Sequence, residues 1–492
     1  MIGPGGAGRR AGAYDGAMRW IAWCVWGGLC LIGMAACGGC EDGPAAARGG
    51  VADLADPGGT AAPAASPRPS DDDSSIRLAG GPYPGPGVAE LRREPAVRVR
   101  LHAQMSSVTL TAESRLRVAG PRGGAVASKV YPFSTPLEVR RVLAGNLWVW
   151  ELHEAGGRVV RWQLPELLVE CDVGGAIGLG ELTYPRRLVL VPRTDAAGAE
   201  TGRFDVVNHV PMETYLAGVI ERELYGGWPL ETFKAQAVAA RSYAVWEQTI
   251  ARGRSFDLES TTASQAYVGR ASNPRAVQAV AETRGEFLVY AGRVVPAFYS
   301  SSTGGTGQDA VVAFPNRVEN IPPLRAREHG AWDKDSPQWR WGPVQRPTAT
   351  LARRLAAWGR DRPGGPHPIA ELSQLRRIEV AGRNAIGRPA AYHIIGIDRR
   401  GRAAEYLLDA ESFRVAGNDT DDDRLPLDKG QRFLSSHLEV SVGPSVTTVR
   451  GRGYGHGVGM SQWGARTMAQ AGHGYRAILD FYYPGAEVKK LY

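Results

Sequence analysis

Residues 211–243 read PMETYLAGVIERELYGGWPLETFKAQAVAARSY, and this stretch predicts two consecutive α-helices. Pro211 suits the first helical position, because its fixed φ matches a helix and its missing N–H is not needed there. Gly226 and Gly227 then separate this helix from a second one that begins at Pro229, and the many alanines of the second helix predict close packing. Apolar residues of the first helix follow a 3.6-residue period, at Met212, Tyr215, Leu216, Val219 and Ile220.

Upstream of the helix pair, the chain predicts β-strands. Short runs alternate apolar and polar residues with a period of two, which is typical of half-buried strands. Such runs lie at residues 97–101, 147–150, 188–191 and 204–207. Further helices are expected near residues 349–359 and around 460–483. The predicted fold class is therefore α+β, with a β-rich N-terminal part and a second region that has a helix pair and a groove.

The N-terminus predicts export. Arg19 precedes an uncharged run at residues 20–40, which has the apolar core and the small-residue end of a signal peptide. Residues 31–37 read LIGMAAC and resemble a bacterial lipobox, in which Cys37 becomes the lipidated N-terminus. A plain secretory peptide, or a single membrane anchor of about 20 residues, is the alternative. Residues 41–87 are rich in Ala, Pro, Gly, Asp and Ser and predict a disordered spacer.

Four segments follow from these patterns. Residues 1–40 hold an N-terminal extension with the signal or lipobox peptide, and residues 41–90 form a disordered linker. Residues 91–205 form the β-rich part, and residues 206–492 form the region that begins with the helix pair. The expected location is the cell envelope, where a lipid anchor would hold the protein at a membrane.

The composition argues against two classes of protein. The 492 residues include 58 Lys+Arg and 50 Asp+Glu, a net charge of +8, without basic blocks. A nucleic-acid partner is therefore not expected. Cys171 is the only cysteine beyond residue 40, so neither a disulfide framework nor a cysteine-based zinc site can be built.

One acidic residue lies on the apolar side of the first predicted helix. At about 100° per residue, Glu223 falls roughly 20° from Met212, at the centre of the apolar stripe. Desolvation of such a carboxyl raises its pKa and favours the protonated form that a general acid needs near neutral pH. Glu213 and Glu221 project elsewhere, and we interpret them as solvated helix charges.

Two structural explanations of Glu223 stay open at this point. The helix could end near Ile220, which would leave Glu223 in an exposed loop. Alternatively, Glu223 could form an ion pair with Lys234 or Arg241.

Two further stretches combine glycines with polar residues. Residues 451–464 read GRGYGHGVGMSQWG, with glycine at every second position over nine residues. One face without side chains lets a ligand or another segment approach the backbone closely, and a tightly packed turn is the alternative. Residues 298–306 read FYSSSTGGT, which indicates either a polar groove for a hydroxylated ligand or an ordinary Ser/Thr turn.

Together these stretches resemble the stage II sporulation protein D / LytB (SpoIID/LytB) family, which acts on bacterial cell-wall peptidoglycan. Order and spacing agree over about residues 97–491, and the family's catalytic glutamate corresponds to Glu223. The matching motifs are the helix pair at 211–243, the Ser/Gly stretch at 298–305, a Trp-Asp-x-x-Ser-Pro segment at 332–337 and the C-terminal signature at 453–462.

The resemblance implies a lytic transglycosylase that cleaves the bond between N-acetylmuramic acid and N-acetylglucosamine in peptide-stripped glycan strands. It also implies that residues 206–492 are the catalytic region. One acid suffices, because Glu223 would protonate the glycosidic oxygen and then accept the proton of the muramic C6 hydroxyl. No cofactor is expected. Candidate substrate-binding residues are Gln236, Arg241, Tyr243, Ser302, His456 and Gln462.

The sequence departs from the family in one segment. Some members bind zinc through Cys and His before a Gln-x-Tyr segment, whereas residues 260–267 read STTASQAY here. Neither ligand type is present, so we predict no zinc.

Two other functions stay open. The first is a wall-binding protein that recruits or stimulates a cell-wall amidase, with Glu223 in a structural role. The second is a muramidase, which needs a second carboxylate at about 5 to 9.5 Å from the acid. Glu231 and Asp333 are the candidates for that carboxylate.

Overall fold

The computed structural model describes residues 85–120, 131–261, 263–315, 317–362, 365–419, 427 and 429–492. The predicted signal peptide, Cys37 and most of the linker lie outside the described residues. Folded structure begins before the predicted linker end at residue 90, because Val88 N donates to Gly292 O and Val294 N donates to Pro86 O. Within the described ranges, no helix is long and apolar enough to cross a membrane.

The β-rich part forms two sheets. Alternate residues of its first strand, such as Val97 and Val99, are buried, which confirms the predicted period of two. Its strands are β1 (Ala96–Met105), β2 (Ser107–Thr111), β3 (Leu116–Ala119), β4 (Tyr131–Phe133), β5 (Leu137–Ala144), β6 (Leu147–Glu154), β7 (Val159–Trp162), β8 (Leu167–Glu170), β9 (Ala176–Leu179), β10 (Leu182–Pro185), β11 (Arg187–Thr194) and β12 (Glu200–Pro211). With β13 (Leu258–Glu259), one sheet has the order β13-β1-β12-β11-β8-β3-β4, and the other has the order β10-β9-β2-β5-β6-β7.

The predicted helix pair is present as α1 (Met212–Glu223) and α2 (Leu230–Ile250). Pro211 and Pro229 lie one residue before each helix instead of at its first position. Strand β12 runs directly into α1, so the first sheet fixes where that helix starts. The apolar stripe of α1 and the alanines of α2 between residues 235 and 240 are buried, and their small side chains let the neighbouring elements pack closely.

The remaining elements confirm the α+β class. The helix expected near 349–359 is present as α5, but the one expected around 460–483 is two helices, α7 and α8. Gly472, with a φ of +89°, and Gly474 separate them. In chain order the elements are α3 (Pro274–Glu282), β14 (Glu286–Tyr290), β15 (Arg293–Val294), β16 (Tyr299–Ser300), α4 (Ala310–Ala313), β17 (Trp341–Pro347), α5 (Thr348–Asp361), β18 (Leu372–Arg383), β19 (Pro389–Asp398), β20 (Ala403–Asp409), α6 (Ala410–Asn418), β21 (Leu438–Val442), β22 (Val446–Gly451), β23 (Met460–Ser461), α7 (Gln462–Gln470), α8 (Tyr475–Tyr482) and β24 (Glu487–Lys490).

The described residues form two hydrophobic cores. Buried members of the main core come from both large sheets and from α1, α2, α7 and α8, and along the chain they stop at Leu324 and resume at Val458. The second core lies within residues 344–449, where α5 and α6 pack against the β18-β19-β20 sheet. The segment between the two parts of the main core therefore folds around apolar residues of its own.

Arg388, at the end of the loop before β19, joins the second core to the main one. Its guanidinium is buried and donates hydrogen bonds to the carbonyl oxygens of Thr303, Thr306 and His456. The Ser/Gly stretch and the C-terminal glycine-rich stretch are thus tied to one cation.

The glycine-rich stretch at 451–464 contains tight turns, and residues of the Ser/Gly stretch pack directly against its glycines. Its glycines at 453, 455, 457 and 459 all have positive φ, from +67° to +104°, so the stretch is not a strand with one bare face. A Cβ on Gly459 would lie 2.1 Å from Phe298 O, and a Cβ on Gly453 would lie 2.6 Å from Ser302 O. Strands β16 and β23 pair in parallel beside these contacts. The close approach predicted for this stretch is therefore made by another segment of the chain.

We expect Gly459→Ala to lower the free energy of unfolding by about 3 kcal/mol or more, since a strained φ adds to overpacking against Phe298 O. Gly472→Ala is the matched control, because Gly472 also has positive φ but has open space where its Cβ would lie. There we expect a loss of about 1 kcal/mol. Urea unfolding of both variants measures the difference, and equal losses would contradict the prediction.

Candidate active site

Glu223 is the last residue of α1 and meets both the loop after β13 and the start of α7. Its Oε1 accepts a hydrogen bond from the backbone N–H of Ala266 at 3.3 Å. Its Oε2 accepts a hydrogen bond from Gln462 Nε2 at 3.1 Å. The side chain is half-buried. The helix therefore reaches Glu223, and two neutral donors hold its carboxylate.

The ion pairs considered for Glu223 are not formed. Lys234 Nζ lies 2.7 Å from Glu231 Oε1, and Arg241 Nη2 lies 2.6 Å from Glu213 Oε2. Both cations thus have other carboxylates as partners, and Glu223 has no ion pair with any residue that the structure describes.

Two opposing influences act on the Glu223 carboxyl. Desolvation by the surrounding protein is the larger and raises the pKa of Glu223 above its ordinary value of 4.5. The hydrogen bonds from Gln462 and Ala266 lower the pKa, because they stabilise the ionised form. The net direction is upward, so the proton stays on Glu223 to a higher pH than on a solvated glutamate.

A buried amide fixes the loop that carries Ala266. Gln265 Oε1 accepts a hydrogen bond from Tyr215 Oη at 3.1 Å, and Gln265 Nε2 donates to Tyr299 Oη at 3.0 Å and to Ala240 O at 3.2 Å. Burial, with the nearby charge of Glu223 adding to it, raises the pKa of Tyr299 well above its ordinary value. Both tyrosines therefore stay neutral donors or acceptors beside the acid.

Three aromatic rings form a shelf next to Glu223, which we call the aromatic shelf: Tyr225, Trp228 and Trp463. Ring centroids are 5.3 Å apart for Tyr225 and Trp228, and 5.2 Å apart for Trp228 and Trp463. Tyr225 is 53% exposed. Arg466 lies 5.0 Å from the centroid of Trp463. In the sequence, Tyr225 comes two residues after Glu223, and Trp463 directly follows Gln462.

Two of the predicted site residues lie near the acid. Gln462 contacts Glu223 directly, as described above. The ring of Tyr243 lies 6.5 Å from that of Tyr299, and its Oη donates to Glu247 Oε1 at 2.7 Å. Arg317 Nη2 reaches the same oxygen of Glu247 at 2.9 Å. Tyr243 therefore borders the polar group around Glu223 and has a protein partner.

Arg241 has a different place from the one predicted. Its guanidinium is fully buried and makes a bidentate pair with Glu213 at the opposite end of α1 from Glu223. This burial favours a structural role over contact with a sugar. It also corrects the interpretation of Glu213 as a solvated helix charge. Glu221 is not purely solvated either, because it accepts hydrogen bonds from Ser272 before α3.

Ser302 and His456 also lie inside the scaffold. Ser302 Oγ donates to Asp333 Oδ2 at 2.9 Å, and Asp333 Oδ2 accepts further bonds from residues of both glycine-containing stretches. His456 Nδ1 accepts a bond from Val458 N at 3.0 Å, and desolvation lowers the pKa of His456 to about 4. Both side chains are buried, which favours a structural role for each over the predicted sugar contact.

Gln236 is fully buried on α2. Neither atom of its amide has a hydrogen-bond partner among the described residues. Its predicted contact with the substrate stays a prediction.

Several residues of the site were absent from the sequence-based candidates, among them Ala266, Gln265 and Tyr225. Ala266 acts through its backbone N–H, which leaves no signature in a sequence. Gln265 lies in the Gln-x-Tyr segment that was considered only for metal binding, and Tyr225 lies in the glycine-rich break after α1. Two of these residues had a signal in the sequence. Tyr225 is two residues from Glu223, and Gln265 belongs to the Gln-x-Tyr segment of the family.

No group of three or more His, Cys, Asp or Glu side chains suited to a metal ion occurs among the described residues. Cys171 is a buried free thiol.

Comparisons with known proteins agree with the motifs. Residues 200–290 match the family model described as SpoIID, stage II sporulation protein. The chain is 29% identical over 314 residues to an uncharacterized protein of Brachyspira hyodysenteriae, covering 63% of this chain and 73% of that protein. It is 29% identical to the amidase enhancer of Bacillus subtilis, covering 55% of this chain but 39% of that protein. It is 25% identical to stage II sporulation protein D of Bacillus subtilis, covering 58% and 76%. The helix pair, the glycine-rich stretches and these matches together support membership of the SpoIID family.

Proposed function

We propose that the protein is a peptidoglycan lytic transglycosylase that cleaves MurNAc–GlcNAc bonds of peptide-stripped glycan strands and leaves 1,6-anhydroMurNAc ends. The observation that carries the proposal is Glu223, a desolvated carboxyl that two neutral donors hold beside the aromatic shelf, of which Tyr225 is exposed. The physiological setting we propose is wall remodelling or sporulation-like development.

Glu223 would act first as an acid and then as a base. In the first step its proton moves to the glycosidic oxygen, and the bond from that oxygen to C1 of the muramic sugar breaks. Desolvation favours the protonated form needed for this step. In the second step, the C6 hydroxyl bonds to C1 and its proton returns to Glu223. The hydrogen bonds from Gln462 and Ala266 stabilise the carboxylate that exists between the two steps.

The other candidate carboxylates have structural partners, which supports a single acid. Asp333 is fully buried, and its Oδ2 accepts several hydrogen bonds from the two glycine-containing stretches. Glu231 pairs with Lys234 and accepts a hydrogen bond from Tyr475 N at the start of α8. A muramidase would need one of them to activate water, so their partners favour the transglycosylase.

The aromatic shelf would hold a pyranose ring of the glycan, because the apolar face of a sugar stacks on an aromatic ring. We expect Tyr225→Ala to weaken the binding of peptide-free glycan strands by about two- to tenfold. Binding is measured in a Glu223→Gln background, so that the ligand is not consumed. Tyr225→Phe should bind normally, and so should Leu407→Ala, which truncates an exposed side chain on β20. Unchanged binding by Tyr225→Ala would contradict the role of the shelf.

We also propose that the protein is exported and held at a membrane through a lipid on Cys37. The apolar run and the lipobox-like residues 31–37 support this location. It would place the enzyme on the side of the membrane where peptidoglycan lies.

Mass spectrometry of the products from peptide-free glycan strands tests the proposed reaction. Anhydro-muramic ends would support a transglycosylase. Reducing ends would make the protein a hydrolase, and intact strands would contradict both forms of cleavage.

A second candidate function is a wall-binding protein that recruits or stimulates an N-acetylmuramoyl-L-alanine amidase. The similarity to a protein named amidase enhancer favours it. In that case the glycan would bind without being cleaved, and the rate of a purified amidase on the same wall preparation would rise when this protein is added.

A further inference from the structure

A cavity of about 630 Å³ lies beside α1, on a different face of the helix from Glu223. Thr214 and Ala217 of α1 line it, together with α3, the loop after β8 and the start of β11. Ala217 precedes Glu223 by six residues, which is about 9 Å along the helix and about 120° around it. The cavity has the volume of a small-ligand site and is separate from the candidate active site.

Arginines give this cavity its charge. Among its lining residues, Arg117 lies 3.8 Å from Asp172, and Arg187 lies 2.7 Å from Glu170. A third lining cation, Arg284, pairs with Glu94. The third acid of the lining, Glu213, forms an ion pair with Arg241, which is buried in the protein interior. The acids at the cavity are therefore balanced by these cations.

Two lining arginines remain in addition to those pairs. The side chains of Arg186 and Arg270 have neither an ion pair nor a hydrogen bond to any residue that the structure describes, and both residues are exposed. Arg186 also has a φ of +73°, a strained conformation for a residue with a side chain. The cavity thus presents two guanidinium groups that are available to an anionic ligand.

The rest of the wall is apolar and built from small side chains. Val277 and Val173 are 49% and 95% exposed there, so apolar surface faces the cavity and the solvent at its mouth. The alanines that line it are Ala217, Ala271 and Ala281. Such a wall fits methyl-sized side chains, while guanidinium groups bind carboxylates with two parallel hydrogen bonds.

We infer that this cavity binds a short peptide that carries two or more carboxylates and small apolar side chains, as the stem peptides of peptidoglycan do. The assignment of the peptide to the cell wall rests on the proposed function. The binding itself follows from the two available arginines and the alanine- and valine-lined wall. An enzyme that prefers stripped strands would then retain a separate contact with the peptides of neighbouring strands.

Isothermal titration calorimetry of the full chain with the tetrapeptide L-Ala-γ-D-Glu-meso-diaminopimelate-D-Ala tests the inference. We expect saturable binding that weakens with salt, and a loss of about tenfold or more in the Arg186→Gln/Arg270→Gln variant. Arg93→Gln is the matched control, since Arg93 is an exposed arginine outside the cavity lining. The same peptide with amidated carboxylates should bind as weakly as the tetrapeptide binds to the double variant.

Several results would overturn the inference: no binding of the tetrapeptide, equal binding by the double variant, or equal binding of the amidated peptide. Competition by inorganic phosphate at similar concentration would also overturn it, because the site would then be a general anion site. Circular dichroism of the double variant checks that it is folded. Glu223→Gln should bind the tetrapeptide normally, so failure of glycan cleavage and failure of peptide binding can be told apart.

Discussion

Glu223→Gln is expected to reduce the cleavage of peptide-free glycan strands by about a thousandfold or more, the scale of an essential general acid. The amide has nearly the same shape and can still accept a hydrogen bond through Oε1, but it has no proton to give to the glycosidic oxygen. Mass spectrometry of anhydro-muramic ends over a time course measures the loss.

Glu221→Gln is the matched control, because it changes a carboxyl two residues away on the same helix that does not contact Gln462 or Ala266. It should cleave at close to the normal rate. Anhydro ends made by Glu223→Gln at the unmutated rate would show that another group supplies the proton. If neither protein cleaves but both bind the glycan, the amidase-recruiting function is favoured.

Glu223→Gln should also change how the stability of the protein depends on pH. Desolvation raises the pKa of Glu223 in the folded protein, so ionisation of this group opposes folding. The protonated carboxyl therefore contributes stability at low pH. The free energy of unfolding of the unmutated protein should lose this contribution as pH rises from about 4.5 through the raised pKa, whereas that of Glu223→Gln should not. The melting temperature of the variant minus that of the unmutated protein should increase over this range. A difference that stays constant with pH would contradict the raised pKa.

The position of the acid was predictable because it depends on local periodicity. Glu223 shares the face of Met212 through the helix repeat alone, and the repeat continues unbroken to the helix end. Its two donors depend on long-range contacts instead. Gln462 is 239 residues away in the chain, and Ala266 donates through its backbone. Gln462 was identified only through the family resemblance, and nothing in the chemistry of an alanine predicts a hydrogen-bond donor to an acid.

The roles of the polar residues in the two glycine-containing stretches could not be predicted from the sequence. Ser302 and His456 stand in stretches that the family resemblance connects with the substrate, but the structure buries both. A scaffold made of tight glycine turns leaves many backbone donors to satisfy, and Asp333 accepts hydrogen bonds from two of them, Thr303 N and Gly304 N. The sequence cannot distinguish a polar residue that satisfies such a turn from one that meets a sugar, because both occur near glycines.

Features of the fold that depend on neighbouring residues were predictable, and those that depend on distant contacts were not. Strand alternation and the helix pair come from neighbouring residues, and both were predicted. The second core was not, because residues 344–449 carry ordinary strand and helix patterns that do not reveal which apolar faces meet. Arg388 shows the consequence, since one side chain from this region organises carbonyl oxygens from two distant stretches.

Arg241→Met is expected to lower the free energy of unfolding by about 3 to 5 kcal/mol, because it leaves the Glu213 carboxylate buried without its cation. Glu213 keeps hydrogen bonds from Gly285 N and Tyr492 Oη, which favour the lower end of that range. Methionine is shorter than arginine but is an unbranched side chain of similar volume, so the change removes charge more than volume. Urea unfolding at neutral pH measures the loss.

The double variant Arg241→Met/Glu213→Gln separates the buried charge from the lost packing. It should recover about half of the stability lost in Arg241→Met, because no uncompensated carboxylate is left inside the protein. Glycan binding by the folded Arg241→Met protein provides the test of its role. A structural arginine predicts normal affinity at temperatures where the variant is folded. Weakened glycan binding with an unchanged free energy of unfolding would instead make Arg241 the substrate contact that the family resemblance implies.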